Sequence, residues 1–308
     1  MINIAILGYG YWGCNLVRNL YKFSNCKISY IVDKDINKLK EANKLYPDLK
    51  CVLNPINAIK DKTVNAVVIA LPASQHYKYA KLVLQNNKHL LIEKPATNSY
   101  KKLKELVNVA KKRKLQLMVD YTFLYTPAVR KIKELFDNNV IGDILFIESQ
   151  RLNLRTFRKD VNVIWDLAVH DISIIQYLLE KKPRKVFVQC GAFFNSKIID
   201  LAHITLEYRK NQVANIYSAW KNPVKKRNLV VYGTKKCIMY DSLKLNEKVK
   251  IYNLNNNNFF IPKLSQQEPL YKMCNEFLSC ISNSKKALTN GDFALNVSAI
   301  LDRLNDLI

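Results

Sequence analysis

A chain of 308 residues with 49% apolar and 24% charged residues is too hydrophobic to be disordered and too long for one small core, which points to two domains. No run approaches the roughly 18 to 20 unbroken apolar residues of a membrane span, and strand-like residues begin at Ile2, leaving no room for a signal peptide. Seven scattered cysteines without a C-x-x-C, and only four histidines, argue against a disulfide framework or a zinc site and for a reducing, cytoplasmic compartment.

The net charge of +24 admits nucleic acid, an anionic membrane face or anionic small substrates as partners. A lysine-rich background composition, with abundant Asn and Ile and little Gly and Ala, explains most of the lysines equally well. No helix-turn-helix, zinc-finger or RNA-binding signature accompanies the charge, so neither a nucleic acid nor a membrane is the expected partner.

In chain order, residues 2–7 read as a short buried strand and 11–23 as the helix after it. A second apolar run, Ile28–Val32, ends at Asp33, and a charged helical stretch reaches about Tyr46. Val64–Leu71 is a near-continuous apolar strand, followed by a helical pattern from Gln75 to Gln85. His89–Ile92 is another strand, with a helix at about Tyr100–Arg113 and a strand at Leu115–Val119. Strands apolar on both faces and alternating with helices predict a doubly wound parallel sheet.

The pattern changes near residue 120. Pro127–Asn138 predicts one amphipathic helix, Gly142–Leu152 an extended segment and Trp165–Leu179 a second helix. Alternating runs at 185–194, 201–208, 212–219, 228–233 and 247–254 suit a mostly antiparallel sheet. Residues 255–258 read as a loop, and helices at about 268–283 and 292–307 close the chain. The expectation is an α/β protein with a Rossmann domain at 1–120 and a second α/β domain at 121–308, the last helix being able to pack back on the first domain.

Three of the chain's seven glycines fall in Gly8-Tyr9-Gly10-Tyr11-Trp12-Gly13, directly after the first strand. In a dinucleotide-binding turn the first glycine permits the bend, the second lets a pyrophosphate reach the backbone, and the third lets helix and strand pack closely. The helix N-terminus then offers N–H groups to the phosphates. Asp33, twenty residues after Gly13, stands where a carboxylate accepts hydrogen bonds from the adenosine ribose and repels a 2′-phosphate. That favours NAD over NADP, a preference which Lys34 and Lys38 soften without excluding NADP.

Ligands of open parallel sheets sit beyond the carboxyl ends of the strands. Leu71-Pro72 ends one strand and Glu93-Lys94-Pro95 the next, so a lysine projects towards the same crevice. Asp166 and His170, four apart on a predicted helix, share a face with Ser173 and Tyr177. A histidine acting as a base needs its second ring nitrogen oriented, and Asp166 or Asp171 is a candidate partner. A helical histidine satisfied by its surroundings fits the same spacing.

GYGYWG, the Leu71-Pro72 followed by His76, EKP, and WDLAVHDISIIQYLL together resemble the glucose–fructose oxidoreductase/inositol dehydrogenase (Gfo/Idh/MocA) family over essentially the whole chain. The resemblance implies a Rossmann domain followed by an α/β domain with a broad, open-faced sheet that makes homodimers or homotetramers. It implies a catalytic set of Lys94, Asp166 and His170, and no metal. The expected cofactor set is Gly8, Gly10, Tyr11, Trp12, Gly13, Asp33, Lys38, Leu71, Pro72, His76, Glu93 and Lys94. Two positions depart from the family's habit, Leu71 where Thr often precedes the proline and Ala168 where Gly is frequent; both concern the pocket wall.

On this reading His170 takes the hydroxyl proton of a sugar carbinol, Asp166 supports it and Lys94 stabilises the oxyanion, or Lys94 is itself the base. Arg151, Arg155, Arg158 and Lys159 occupy one short stretch, and eight basic and no acidic residues lie between Arg209 and Lys236, Arg227 among them. Arginines bind phosphate oxygens bidentately, which suits a nucleotide diphosphate handle. Tyr121, Tyr125, Trp165 and Trp220 offer ring faces for a base or pyranose, or simply fill the core. The segment from Phe146 to Ser173 also resembles members of bacterial surface-polysaccharide pathways that act on nucleotide-activated amino sugars. The expected reaction is therefore oxidation of a UDP-HexNAc-type 3-hydroxyl, or its reverse. The alternatives are an enzyme on free sugars or polyols such as inositol and a non-catalytic NAD-binding regulator.

Overall fold

The computed structural model describes residues 1–154, 161–194, 197–256 and 258–308. The chain divides into two compact units, Met1–Thr122 with Glu268–Leu295, and Phe123–Gln267 with Asn296–Ile308. Among the described residues no helix is long and apolar enough to cross a membrane.

The first unit begins β1 (Ile2–Leu7), α1 (Gly13–Leu20), β2 (Cys26–Val32), α2 (Ile36–Leu45), β3 (Lys50–Val52) and α3 (Pro55–Lys60). It continues β4 (Ala66–Ile69), α4 (Ala73–Gln85), β5 (His89–Glu93), α5 (Tyr100–Lys112) and β6 (Leu117–Asp120). The six strands are parallel in the order β3-β2-β1-β4-β5-β6. Ile4, Ile6 and Leu7 of β1 and Val67, Val68 and Ile69 of β4 are fully buried, as central strands covered on both faces require. The order reverses between β1 and β4, and that switch point is where such sheets open a ligand crevice at their carboxyl ends.

β3 and α3 have no counterpart in the sequence expectation. β3 is three partly exposed residues at the sheet edge, too short to show a period. α3 is only six residues long, but Asn54 caps it by accepting from Ile56 N and Pro55 stands in its first turn, a start signal that its length concealed.

The second unit contains α6 (Pro127–Asp137), β7 (Ile144–Leu154), a π-helical turn (Ile164–Ala168) running into α7 (Val169–Leu179), and β8 (Lys185–Gly191). After it come β9 (Leu201–Glu207), β10 (Val213–Ala219), β11 (Lys221–Gly233), β12 (Lys236–Asp241), β13 (Val249–Asn253) and the two-residue β14 (Phe259–Phe260). The helices α8 (Pro269–Asn283) and α9 (Gly291–Asn305) follow. β12 and β14 were not expected. α8 belongs to the first unit, where Phe23 stacks on Tyr271 at 4.5 Å and Arg18 pairs with Glu268.

The eight strands of the second sheet run β14-β13-β12-β11-β7-β10-β9-β8 and are antiparallel except for the parallel β10–β7 pair. Alternation decides the two faces. Ala202, Ile204 and Leu206 of β9 and Ala214, Ile216 and Ser218 of β10 are buried, while His203, Thr205, Asn215 and Tyr217 stand on the other side. That second face carries stacked rings, His203 on Tyr217 at 4.1 Å and Phe146 on Tyr232 at 4.0 Å, beside half-exposed Phe187 and Met239.

Candidate active site

The three glycines of the first turn answer to different neighbours. Gly8 has φ +101°, and a Cβ there would stand 2.4 Å from the carbonyl oxygen of Ala70. A Cβ on Gly13 would stand 2.0 Å from the carbonyl oxygen of Gly8. Both are required by the fold itself. Gly10 is not: a Cβ there would meet only the Lys38 ammonium, at 3.9 Å. Protein packing gives no reason for a glycine at this position, whereas a pyrophosphate seated against the backbone does.

The helical bonding of α1 starts with Cys14 N donating to Gly10 O at 3.1 Å, so the preceding amides of the turn are not drawn into the helix. The Asp33 carboxylate, 7% exposed, accepts from Tyr9 N at 2.8 Å and from Asp35 N at 3.0 Å. It therefore holds the glycine-rich turn against the end of β2, and each oxygen keeps a second lone pair for a ribose hydroxyl. An open cradle over Gly10, a cation beside it and a carboxylate at the end of β2 fit a dinucleotide.

His76, in the first turn of α4, is 1% exposed. Its Nδ1 lies 2.8 Å from the Pro95 carbonyl oxygen and its Nε2 2.7 Å from that of Leu71. It thus ties the segment after β4 to the segment after β5. Tyr11, by contrast, is 84% exposed.

β6 runs one residue further than the sequence suggested and ends on Asp120, which pairs in register with Glu93 at the end of β5. Asp120 accepts from the Trp12 indole Nε1 at 2.7 Å, from Thr122 N at 3.0 Å and from the Thr122 hydroxyl. Burial first, then the charge of Asp120, push the Glu93 carboxyl well above the usual carboxylate range, and Lys94 pulls it partly back. Asp120 was missed because its strand was ended at Val119. The strand-end rule that picked out Glu93 and Lys94 would have found it with that boundary moved by one.

In the second unit, Asp166 lies in the π-helical turn and His170 in the first turn of α7. The i, i+4 stacking expected of a regular helix does not carry over directly, because the π-turn adds a residue to the winding. Asp166, 2% exposed, accepts from the indole Nε1 of Trp220 at 3.0 Å. His170 is packed edge-on against Phe123 at 4.9 Å, and its carbonyl oxygen accepts from the Ser173 hydroxyl at 2.7 Å. Asp171, the other candidate partner for the imidazole, takes Arg151 Nε and Nη2 at 2.7 and 3.0 Å and the Ser149 hydroxyl at 2.8 Å.

Arg151 is therefore 4% exposed and held in an internal ion pair, with its guanidinium 4.5 Å from the centre of the Phe123 ring. Its guanidinium and the His170 imidazole thus both lie against the Phe123 ring. Arg227 pairs in register with it on β11 and is half-buried. Arg155 and Arg158 lie outside the described residues. Tyr121 and Trp165 are 3% and 6% exposed, and Tyr121 sits edge-on to Phe293 at 5.7 Å. Trp220 is fully buried and serves Asp166. Among the described residues no group of three His, Cys, Asp or Glu side chains is placed to hold a metal ion.

Residues 2–121 match the model of an oxidoreductase family's NAD-binding Rossmann fold, and residues 129–239 match the Gfo/Idh/MocA C-terminal domain. The chain is 24% identical over 259 residues to the 2,7-anhydro-N-acetylneuraminate hydratase of Escherichia coli strain K12, covering 78% of this chain and 68% of that one. It is 24% identical over 185 residues to inositol 2-dehydrogenase 1 of Mycolicibacterium vanbaalenii, covering 59% of this chain and 54% of that one. The solved structure of a UDP-N-acetylglucosamine 3-dehydrogenase from Acidithiobacillus ferrooxidans superposes with a TM-score of 0.89 at 20% identity, covering 100% of this chain and 97% of that one.

Proposed function

Because the chain belongs to the Gfo/Idh/MocA family of oxidoreductases, through both its NAD-binding Rossmann domain and its C-terminal domain, we propose that it interconverts a secondary alcohol and a ketone at C3 of a UDP-HexNAc-type sugar. The observation that carries the redox reading is the turn at Gly10, a glycine that the protein's own packing does not need. NAD, when bound, supplies the hydride acceptor. Gly10, Lys38 and Asp33 hold its pyrophosphate and adenosine ribose, and Lys94, just beyond the end of β5, stands at the crevice edge.

In the oxidising direction His170 removes the hydroxyl proton, Asp166 supports the resulting imidazolium, and Lys94 stabilises the negative charge on oxygen. The bond from Trp220 to Asp166 fixes that carboxylate so that its charge is available without rearrangement. Arg227 and the neighbouring Lys225 and Lys226 take the nucleotide's phosphates, beside Arg151, which is paired with Asp171. The exposed face of the second sheet, with its stacked rings and half-exposed Phe187 and Met239, is the surface on which copies of the chain assemble. Cytoplasmic nucleotide-sugar metabolism for a surface polysaccharide is the setting that fits such a substrate.

A polyol substrate is the second reading, favoured by the likeness to an inositol 2-dehydrogenase. Mixing the protein with NAD and a panel of UDP-sugars, dTDP-sugars and free polyols, while following nicotinamide absorbance, separates the two. Turnover with UDP-HexNAc sugars supports the proposal; turnover confined to free polyols overturns it.

A further inference from the structure

The ends of β5 and β6 place two carboxyl groups side by side, Glu93 opposite Asp120 in the parallel register. Three donors converge on the two oxygens of Asp120, the Trp12 indole, the Thr122 amide and the Thr122 hydroxyl, so both oxygens act as acceptors. Glu93 is furnished differently. Its Oε2 takes one amide, Lys94 N at 3.2 Å, and its Oε1 is buried with no hydrogen-bond partner among the described residues. Two adjacent buried carboxylates do not both ionise.

Building on the assignment of this crevice to NAD, we propose that Glu93 and Asp120 share a single proton, carried by Glu93. The pair with Trp12 is then a positioning unit that holds the glycine-rich turn to the strand end bearing Lys94. The indole bond spans 108 residues of sequence and joins the turn, just before Gly13, to β6. The proton keeps the pair at one negative charge, so the Lys94 ammonium faces one anion and not two. Among the described residues, the titratable groups that act on Glu93 are Asp120 from β6 and Lys94 on its own strand end. Cys274 from α8 also feels Asp120: burial first, then the charge of Asp120, push its thiol up.

The sign of the pH effect follows. Glu93's folded pKa is raised, so the stability gained from its proton is complete below the ordinary carboxyl pKa of about 4.3 and is lost as pH climbs through the raised value.

The test uses ligand-free protein throughout, so its failure is separate from a failure of the cofactor reading, which shows as absence of NAD binding. Infrared spectra at neutral pH should show a protonated-carboxyl band that is absent in Glu93→Gln. The band should also be lost in Asp120→Asn, whose amide donates where the carboxylate accepted. Glu93→Gln, permanently neutral, should flatten the decline of Tm at rising pH, and Glu93→Ala should lower Tm more than Glu93→Gln. Hydrogen exchange of the Trp12 indole N–H should quicken at least tenfold in Asp120→Ala. A wild type without the band, a band that survives Glu93→Gln, or an indole whose exchange ignores Asp120→Ala each overturns the proposal; the first two are read even if the Asp120 variants fail to fold.

Discussion

Replacing Gly10 by alanine separates what the first turn does for the fold from what it does for a ligand. The new methyl would meet only the Lys38 ammonium, 3.9 Å away, and Gly10 has no positive φ to strain. Removing glycine's freedom in the unfolded chain then stabilises the protein by about 0.4–1 kcal/mol, or about 1–3 °C in Tm for a chain of this size. The same methyl stands where the pyrophosphate must approach the backbone. Losing one or two charge-assisted hydrogen bonds costs about 2–4 kcal/mol, a rise of roughly 30- to 1000-fold in the Kd for NAD. Gly13→Ala is the contrasting case, since its methyl would stand 2.0 Å from the Gly8 carbonyl oxygen and overpacking of this kind costs about 1–3 kcal/mol. Thermal unfolding and calorimetric titration with NAD read both quantities. A Gly10→Ala protein that binds NAD like the wild type, or that melts as low as Gly13→Ala, would refute the reasoning.

Three further outcomes are expected. Arg151→Met leaves Asp171 as an unpaired buried charge and should destabilise by about 3–5 kcal/mol, whereas the double variant Arg151→Met, Asp171→Leu should recover most of that loss; urea unfolding of both checks it. His170→Asn should cut turnover by about 10²–10⁴ while the Kd for NAD stays near the wild-type value, and an unchanged rate would move the base to Lys94. On the proposal that copies assemble through the exposed face of the second sheet, wild type should exceed the monomer mass in light scattering and Phe187→Asp, at a residue 50% exposed there, should return it to the monomer mass.

The first unit was legible because each of its signals was local. Val67, Val68 and Ile69 form a run buried on both faces, and Gly8 and Asp33 sit at fixed offsets from strand ends. What escaped was short or depended on distant partners. β3 spans three residues and gives a periodicity nothing to repeat. Arg151 carries the same signature in sequence whether or not a carboxylate takes it, and its pairing with Asp171 comes only from β7 meeting α7. Trp220 reads in sequence either as a ring face for a sugar or as core, and its indole lies fully buried, donating to Asp166. The π-turn at Ile164–Ala168 is hidden for a related reason, since its residues are as apolar and helical as those of α7. Asp120 lies one residue beyond the apolar run that marks its strand in sequence.

The most direct test of the proposed reaction, hydride transfer from C3 of a UDP-HexNAc sugar to NAD, is isotopic. UDP-N-acetylglucosamine carrying deuterium at C3 is incubated with the protein and NAD, and the reduced nicotinamide is isolated and weighed by mass spectrometry. Deuterium in the nicotinamide ring, one atom for each keto-sugar formed, is the expected result. Reduced nicotinamide without label, or a C3 deuterium that remains in the recovered sugar while free polyols are oxidised, would contradict it.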